Sequence, residues 1–240
     1  MSEENNKLVQ TGKLGPRKVG LGASLQEARN KGNIASETVV NFAGYPNRIV
    51  IALDDSGSMS SPMNGQSLFE ESEHISPSRM NIAKQACEAF LQVCSPSDTV
   101  VGLYTISTDK SLSLSWDYKP LYAMLKEVED SGGTPTFETL DKIKHTENVS
   151  RVVLISDGCS NSGIKYEILD LYKNNNPKIS IDGVFIGGAT DTYGIDEMKR
   201  IAEYTGGLFI HFKDASSFAS QFKYLAPAFY GMLCSGEIKL

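Results

Sequence analysis

At 240 residues the chain is long enough for one sizeable domain with a buried core. A hydrophobic content of 40% with 22% charged residues excludes the disordered and fibrous classes. The net charge of −6 is uneven: residues 1–47 carry six Lys/Arg against four Asp/Glu, and residues 48–240 carry 17 against 25. A mildly acidic globule does not suit sequence-independent phosphate binding, and the small N-terminal basic excess is too weak to argue for nucleic acid.

The four cysteines, Cys87, Cys94, Cys159 and Cys234, form no C-x-x-C and no zinc-like spacing. Cys87 and Cys94 stand seven apart on a predicted helix, where a small hydrophobe on a buried face is the expected role. The opening Met1 to Asn6 lacks the apolar core of a signal peptide. The longest apolar candidate for a span, Tyr224 to Cys234, is short and broken by Pro227 and Gly231. These features lead to the expectation of a cytoplasmic protein with reduced thiols and no membrane partner.

Residues 1–47 read as an N-terminal arm, partly ordered or adding an edge strand, and residues 48–240 as the domain proper. The unbroken apolar run Arg48 to Leu53 fits a central parallel strand buried on both faces. A polar excursion from Ser60 to Ser78 follows, and Ser78 reads as the N-cap of a helix from Arg79 to Cys94, whose apolar residues recur at the helical period. Thr99 to Ile106 is a strand, and Ser111 to Trp116 alternates Leu with Ser as an edge strand does. Helices are expected over Tyr118 to Val128 and Phe137 to His145, then a strand over Arg151 to Ile155. A helix over Gly163 to Tyr172, a strand over Ile179 to Ile186, a helix over Ile195 to Tyr204, a strand over Leu208 to Phe212 and a last helix over Ser216 to Leu225 complete the order. Strands alternating with helices over this length predict a doubly wound α/β domain with helices on both faces of a mostly parallel sheet.

Ligands of such sheets bind beyond the carboxyl ends of the strands. Two carboxylates fall at such ends: Asp54 in Asp54-Asp55-Ser56-Gly57-Ser58, and Asp157 in Val152 to Gly158. Between them Gly132-Gly133-Thr134-Pro135 places a hydroxyl on a glycine loop. Carboxylates and hydroxyls are the oxygen donors that hard divalent cations prefer. In this order the residues resemble the metal-ion-dependent adhesion site (MIDAS) of the von Willebrand factor A-type (VWA) family, which reads D-x-S-x-S, then T, then D. The matching positions are Asp54, Ser56, Ser58, Thr134 and Asp157. The resemblance runs from about Arg48 to about Phe218, and Ile201 to Gly207 is similar to the family's last helix-to-strand turn.

That resemblance implies a VWA/Rossmann-like sheet whose strand near Ser111 runs antiparallel at the edge. It also implies Mg²⁺ (or Mn²⁺) touched by the two serines and often by the threonine, with the aspartates acting largely through waters. A cation with few direct anionic ligands keeps electrophilic character and an exchangeable water, which an Asp or Glu carboxylate of a partner protein can replace. The expectation is therefore a metal-dependent protein-interaction module in an intracellular multiprotein assembly, with the oligomeric state left open. Two alternatives stand beside it: a metal-assisted hydrolase of a phosphoester or peptide, and an assembly protein whose metal only ties loops together.

The enzyme alternative has little sequence support. The third position of a D-x-D motif is taken by Ser56, and there is neither a phosphate loop nor a G-x-S-x-G elbow. His74, His145 and His211 are scattered, and structural or solvated roles are expected for all three. Asp55 is expected to point away from the metal or cap a turn, and Asp109 to serve a turn. The excursion at 60–78, with Glu70, Glu71 and Glu73, reads equally as a solvated loop or as a lid.

Overall fold

The run Ile49-Val50-Ile51-Ala52-Leu53 has no polar face to give to water, so it demands neighbours on both sides. The computed structural model, which describes residues 47–63, 77–158 and 160–212, supplies them. Strand β1 (Asn47–Leu53) lies between β2 (Thr99–Thr105) and β4 (Arg151–Ser156), parallel to both. β3 (Ser111–Ser115) pairs antiparallel with β2, while β5 (Ser180–Ile186) and β6 (Phe209–Phe212) extend the other side in parallel. The resulting order is β3-β2-β1-β4-β5-β6. This is the doubly wound, mostly parallel sheet with one antiparallel edge strand that the sequence predicts. β3 is only partly buried, and its Leu-Ser alternation suits an edge.

Alternation along β1 divides the core in two. Ile49, Ile51 and Leu53 point into a cluster with α1 (Arg79–Val93) and α2 (Lys119–Glu127), including Phe90, Leu91, Leu121 and Leu125. Val50 and Ala52 point to the other face. There they pack with Phe137 and Leu140 of α3 (Thr136–Thr146), Leu169 and Tyr172 of α4 (Tyr166–Lys173), and Met198 and Ile201 of α5 (Thr192–Thr205). Helices thus cover both faces. Cys87 and Cys94 are buried free thiols in the first cluster, the packing role expected of them.

Local signals account for two helix ends directly. The Ser78 hydroxyl accepts from the Asn81 amide at 3.2 Å, capping α1 as predicted. α5 ends on Gly206 in the left-handed conformation at φ 73°, and the Gly207 amide returns to the Ala202 carbonyl at 2.8 Å. That bond pattern needs positive φ at Gly206, and Gly207 is glycine for a different reason: a Cβ there would be driven into the Ile181 carbonyl oxygen. Two boundaries differ from expectation by more than one residue. α4 begins at Tyr166 rather than Gly163, because Gly163 adopts φ 67° and cannot belong to a right-handed helix. α5 begins at Thr192, three residues before Ile195. A short 3₁₀ turn at Gly57–Ser60 has no counterpart in the sequence-based expectation. The expected arm at 1–46, most of the polar excursion (64–76) and the last helix (216–225) lie outside the described residues.

One buried ion pair ties the sheet together away from its carboxyl edge. Asp182 on β5 is fully buried, takes the Arg151 guanidinium at 2.8 Å and accepts the Leu208 amide at 2.9 Å. Burial raises its pKa, and Arg151 opposes that rise. Arg151→Leu leaves a desolvated carboxylate and is expected to lower stability by about 2 kcal/mol at pH 7. With the folded-state pKa raised further, that deficit is smallest below the unfolded-state pKa and grows as pH rises; denaturant melts at pH 4 and pH 7 check it.

Candidate metal centre at the carboxyl edge of the sheet

β1 and β4 are neighbours, so their terminal carboxylates leave the sheet side by side. The Asp54 amide donates to the Ile155 carbonyl at 2.8 Å, and the Ile106 amide donates to Leu53 at 2.9 Å, pinning the end of β1 from both sides. Asp54 is fully buried. Its Oδ1 accepts from the Ser56 amide at 2.9 Å, an Asx-type turn that reverses the chain into the Gly57–Ser60 turn. Its Oδ2 accepts from the Ser156 hydroxyl at 2.5 Å. The Ser56 and Ser58 hydroxyls then stand 3.1 Å apart, Ser56 buried and Ser58 exposed.

The loop carrying Thr134 abuts this turn, since the Gly57 amide donates to the Gly132 carbonyl at 3.1 Å and the Ser131 amide to the Asp55 carbonyl at 2.8 Å. Thr134 is buried, and Asn161 grips its backbone from both sides: Oδ1 takes the Thr134 amide at 3.1 Å, and the Asn161 amide donates to the Thr134 carbonyl at 3.0 Å. Asn161 is held in turn through its neighbour, whose amide (Ser160) donates to Glu197 on α5 at 3.2 Å.

Asp157 closes the group. It is 3% exposed, and its Oδ2 takes the Arg79 guanidinium at 2.9 Å. Its Oδ1 is buried without a hydrogen-bond partner among the described residues. The other fork of Arg79 reaches Asp191 Oδ2 at 2.8 Å, and that oxygen also accepts the Gly188 amide at 3.1 Å. The main chain at Asp157–Gly158 lies flat against Gly194 near the start of α5; Gly158 itself sits at φ 85°.

The residues singled out in the sequence therefore converge through these contacts: Asp54, Ser56 and Ser58 on one turn, Thr134 on the loop bonded to it, and Asp157 on the adjacent strand end. Asp55 does not join them. Its carboxylate accepts the Ser107 amide at 2.5 Å and the Thr108 amide and hydroxyl, capping the turn after β2 as expected. Asp109 is an exposed turn residue at φ 54° paired with Lys142. His145 is exposed against Asp141, and His211 reaches the Gly187 carbonyl at 2.9 Å. His74 is outside the described residues. Sequence reasoning missed Ser156, Arg79, Asn161 and Asp191. Arg79 is visible there only as the first residue of a capped helix, and no spacing rule links it to a carboxylate 78 residues away.

The electrostatics favour a cation. Burial pushes the Asp54 carboxyl from 3.8 up to about 6, opposed by the Ser156 hydrogen bond and reinforced by the charge of Asp157. A carboxylate this reluctant to ionise is one whose counter-charge is incomplete. Among the described residues no three His, Cys, Asp or Glu side chains form a metal-holding group. The donor chemistry is instead two hydroxyls, a free carboxylate oxygen and a strained carboxylate. Hard oxygen donors of this kind suit Mg²⁺ or Mn²⁺ rather than zinc.

An α/β sheet with helices on both faces and one antiparallel edge strand defines the Rossmann-like fold class. Within that class, the family model described as von Willebrand factor type A domain matches residues 49–160, from β1 to just past Asp157. Solved structures share the fold. BatB from Bacteroides thetaiotaomicron is 18% identical with a TM-score of 0.56, covering 78% of this chain and 98% of its own. The SpRpn10 VWA domain is 15% identical with a TM-score of 0.54, covering 81% and 100%. The PilB minor pilin from Streptococcus sanguinis is 13% identical with a TM-score of 0.58, covering 79% and 63%. No curated protein matches the sequence. The segment from β1 to just past Asp157 is thus similar to a von Willebrand factor type A domain, and the solved structures share the fold.

Proposed function

We propose that this chain is a metal-dependent protein-interaction module. Asp54, Ser56, Ser58, Thr134 and Asp157 hold Mg²⁺ (or Mn²⁺), and the site captures an Asp or Glu carboxylate of a partner protein. The observation that carries the proposal is the Ser56–Ser58 hydroxyl pair, 3.1 Å apart, on the turn that leaves the strained buried carboxylate of Asp54, with a free carboxylate oxygen on Asp157 at the end of the adjacent strand.

Ser56, Ser58 and Thr134 supply neutral oxygens, Asp54 and Asp157 supply charge, and Ser156 and Asn161 hold those groups in place. When bound, the cation supplies a positive, ligand-exchanging face that accepts an external carboxylate. Ser58 is exposed, so that face opens to a partner rather than to a closed chamber. Hydroxyl-rich coordination leaves the cation under-neutralised, which favours capture of an anion over chemistry on a bound substrate. A cytoplasmic assembly is part of the proposal; Cys87 and Cys94, buried and free, are compatible with it. No described helix is long and apolar enough to cross a membrane.

The test is titration of the metal-free protein with Mg²⁺ and Mn²⁺ by calorimetry, followed by partner capture from native lysate with Mg²⁺ or EDTA. The wild type is expected to bind both ions and to retain a partner only with metal. The double variant Ser56→Ala/Ser58→Ala is expected to lose at least about 10-fold in metal affinity while melting within a few degrees of wild type, since Ser58 is exposed and neither hydroxyl bonds the main chain among the described residues. Equal capture in every arm by folded proteins would sink the adhesion reading.

A further inference from the structure

The Arg79 guanidinium is the one cation in contact with the candidate site among the described residues, and its geometry is unusual. Arginine and a carboxylate ordinarily meet fork to fork, through two parallel hydrogen bonds. Here the fork is split. One nitrogen takes Asp157 Oδ2 at 2.9 Å and the other takes Asp191 Oδ2 at 2.8 Å. The split leaves Asp157 Oδ1 buried and unpartnered, and leaves Arg79 Nε in the same condition. Buried polar atoms are seldom left unpaired, so each such atom needs a reason.

We infer that Arg79 is a built-in counter-cation of the metal site, one that orients Asp157 with Oδ1 free and cancels its charge so that a bound divalent cation stays under-neutralised. The inference rests on the metal-site reading above and deepens it. Asp54 and Asp157 together carry two negative charges, and Arg79 returns one positive charge against Asp157 at contact distance. The site thus holds the metal more loosely than its carboxylates alone would, and keeps more positive charge available for the partner's carboxylate. Asp191 fixes the guanidinium from the far side, with the Gly188 amide on the same oxygen. Arg79 is 13% exposed, so its charge is only partly screened by water.

The sign of one measurement separates this role from a merely structural one. If Arg79 only held Asp157 in place, removing it would weaken metal binding. As a counter-cation its removal strengthens binding, because the metal no longer competes with a fixed positive charge. Calorimetric titration of the metal-free protein with Mn²⁺ and with Mg²⁺ reads this directly. Arg79→Gln, which keeps a donor for Asp157, is expected to bind both ions about fivefold to tenfold tighter than wild type, the size expected of one unit charge at short range in a partly solvated site. Raising ionic strength should shrink that gain.

Arg79→Lys keeps the charge while giving up the fork, and is expected to stay within about twofold of wild type. It also serves if the Gln variant fails to fold: a fivefold loss in Arg79→Lys would point to geometry and overturn the inference. Metal binding by wild type with equal or weaker binding by folded Arg79→Gln overturns the inference alone. Silence toward both ions in wild type and variant alike overturns the metal-site reading, and the inference falls with it.

Discussion

Gly194→Ala is expected to destabilise the protein by about 4 kcal/mol and to abolish its response to divalent cations. Gly194 sits in the first turn of α5, and the main chain of Asp157 and Gly158 runs directly against it. A Cβ at this position would be driven into the Asp157 carbonyl oxygen and would come within 2.9 Å of the Phe185 ring. Neither neighbour can yield cheaply. The carbonyl belongs to the end of a central strand, and Phe185 is fully buried in the core on the α5 face. Either α5 or the β4 turn must move, and the second movement displaces Asp157. In a domain of this size about 4 kcal/mol lowers the melting temperature by roughly 10 °C. Gly163→Ala is the control. Gly163 has φ 67°, but an added Cβ there meets nothing within 4 Å. Its cost is backbone strain alone, about 1 kcal/mol, with the metal response intact. Thermal melts of both variants with and without Mg²⁺ check the pair; a Gly194→Ala protein that melts like wild type would mean that α5 does not set the position of Asp157.

Much of this architecture is legible in the chain before any coordinates. Ile49 to Leu53 can only be a strand buried on both faces, and Ser78 followed by an apolar helical period can only open a helix. Those signals are local, and they are written in burial and capping energy within a few residues. Asp54, Ser56, Ser58, Thr134 and Asp157 are visible for a different reason: their order matches a known pattern, and two of them fall where strands end. The missing parts are those that depend on distance in sequence. Arg79 reaches Asp157 across 78 positions and Asp191 across 112, and Ser156 reaches Asp54 across 102. Periodicity carries no information about such pairs. The early start of α5 escapes a sequence reading because Thr192-Tyr193-Gly194 are poor helix formers; packing of Gly194 on the Asp157 turn outweighs their propensity. Gly163 to Lys165 read as part of α4 because composition alone does not show a positive φ.

Asp54→Asn is expected to make the metal-free protein more stable at pH 7 while removing its response to metal. A carboxyl whose pKa is higher folded than unfolded holds a proton that the unfolded chain has already released. Its contribution is therefore fully present below pH 4 and is lost as the pH rises through about 6, the folded value for Asp54. The rise from 3.8 to about 6 is roughly two units, and at about 1.4 kcal/mol per unit it amounts to about 3 kcal/mol of stability missing at neutral pH. Desolvation is the main cause, so an uncharged residue of the same shape does not suffer it. The asparagine side chain of the variant can still accept the Ser56 amide, and the Ser156 hydroxyl can turn to accept from the new amide. If the proposed site binds a divalent cation, the wild type is expected to recover the missing stability on metal binding, with protons competing for the same carboxylate. Mg²⁺ should thus raise the wild-type melting temperature clearly at pH 7.5 and much less at pH 5. Asp54→Asn should melt above metal-free wild type at pH 7.5, match it near pH 4, and show no shift with Mg²⁺ at either pH. Melting curves across pH 4 to 8, with EDTA or Mg²⁺, decide the matter. A variant less stable than metal-free wild type at pH 7.5 would show that the Asp54 charge is already compensated inside the fold and that the strain on which the proposed cation site rests does not exist.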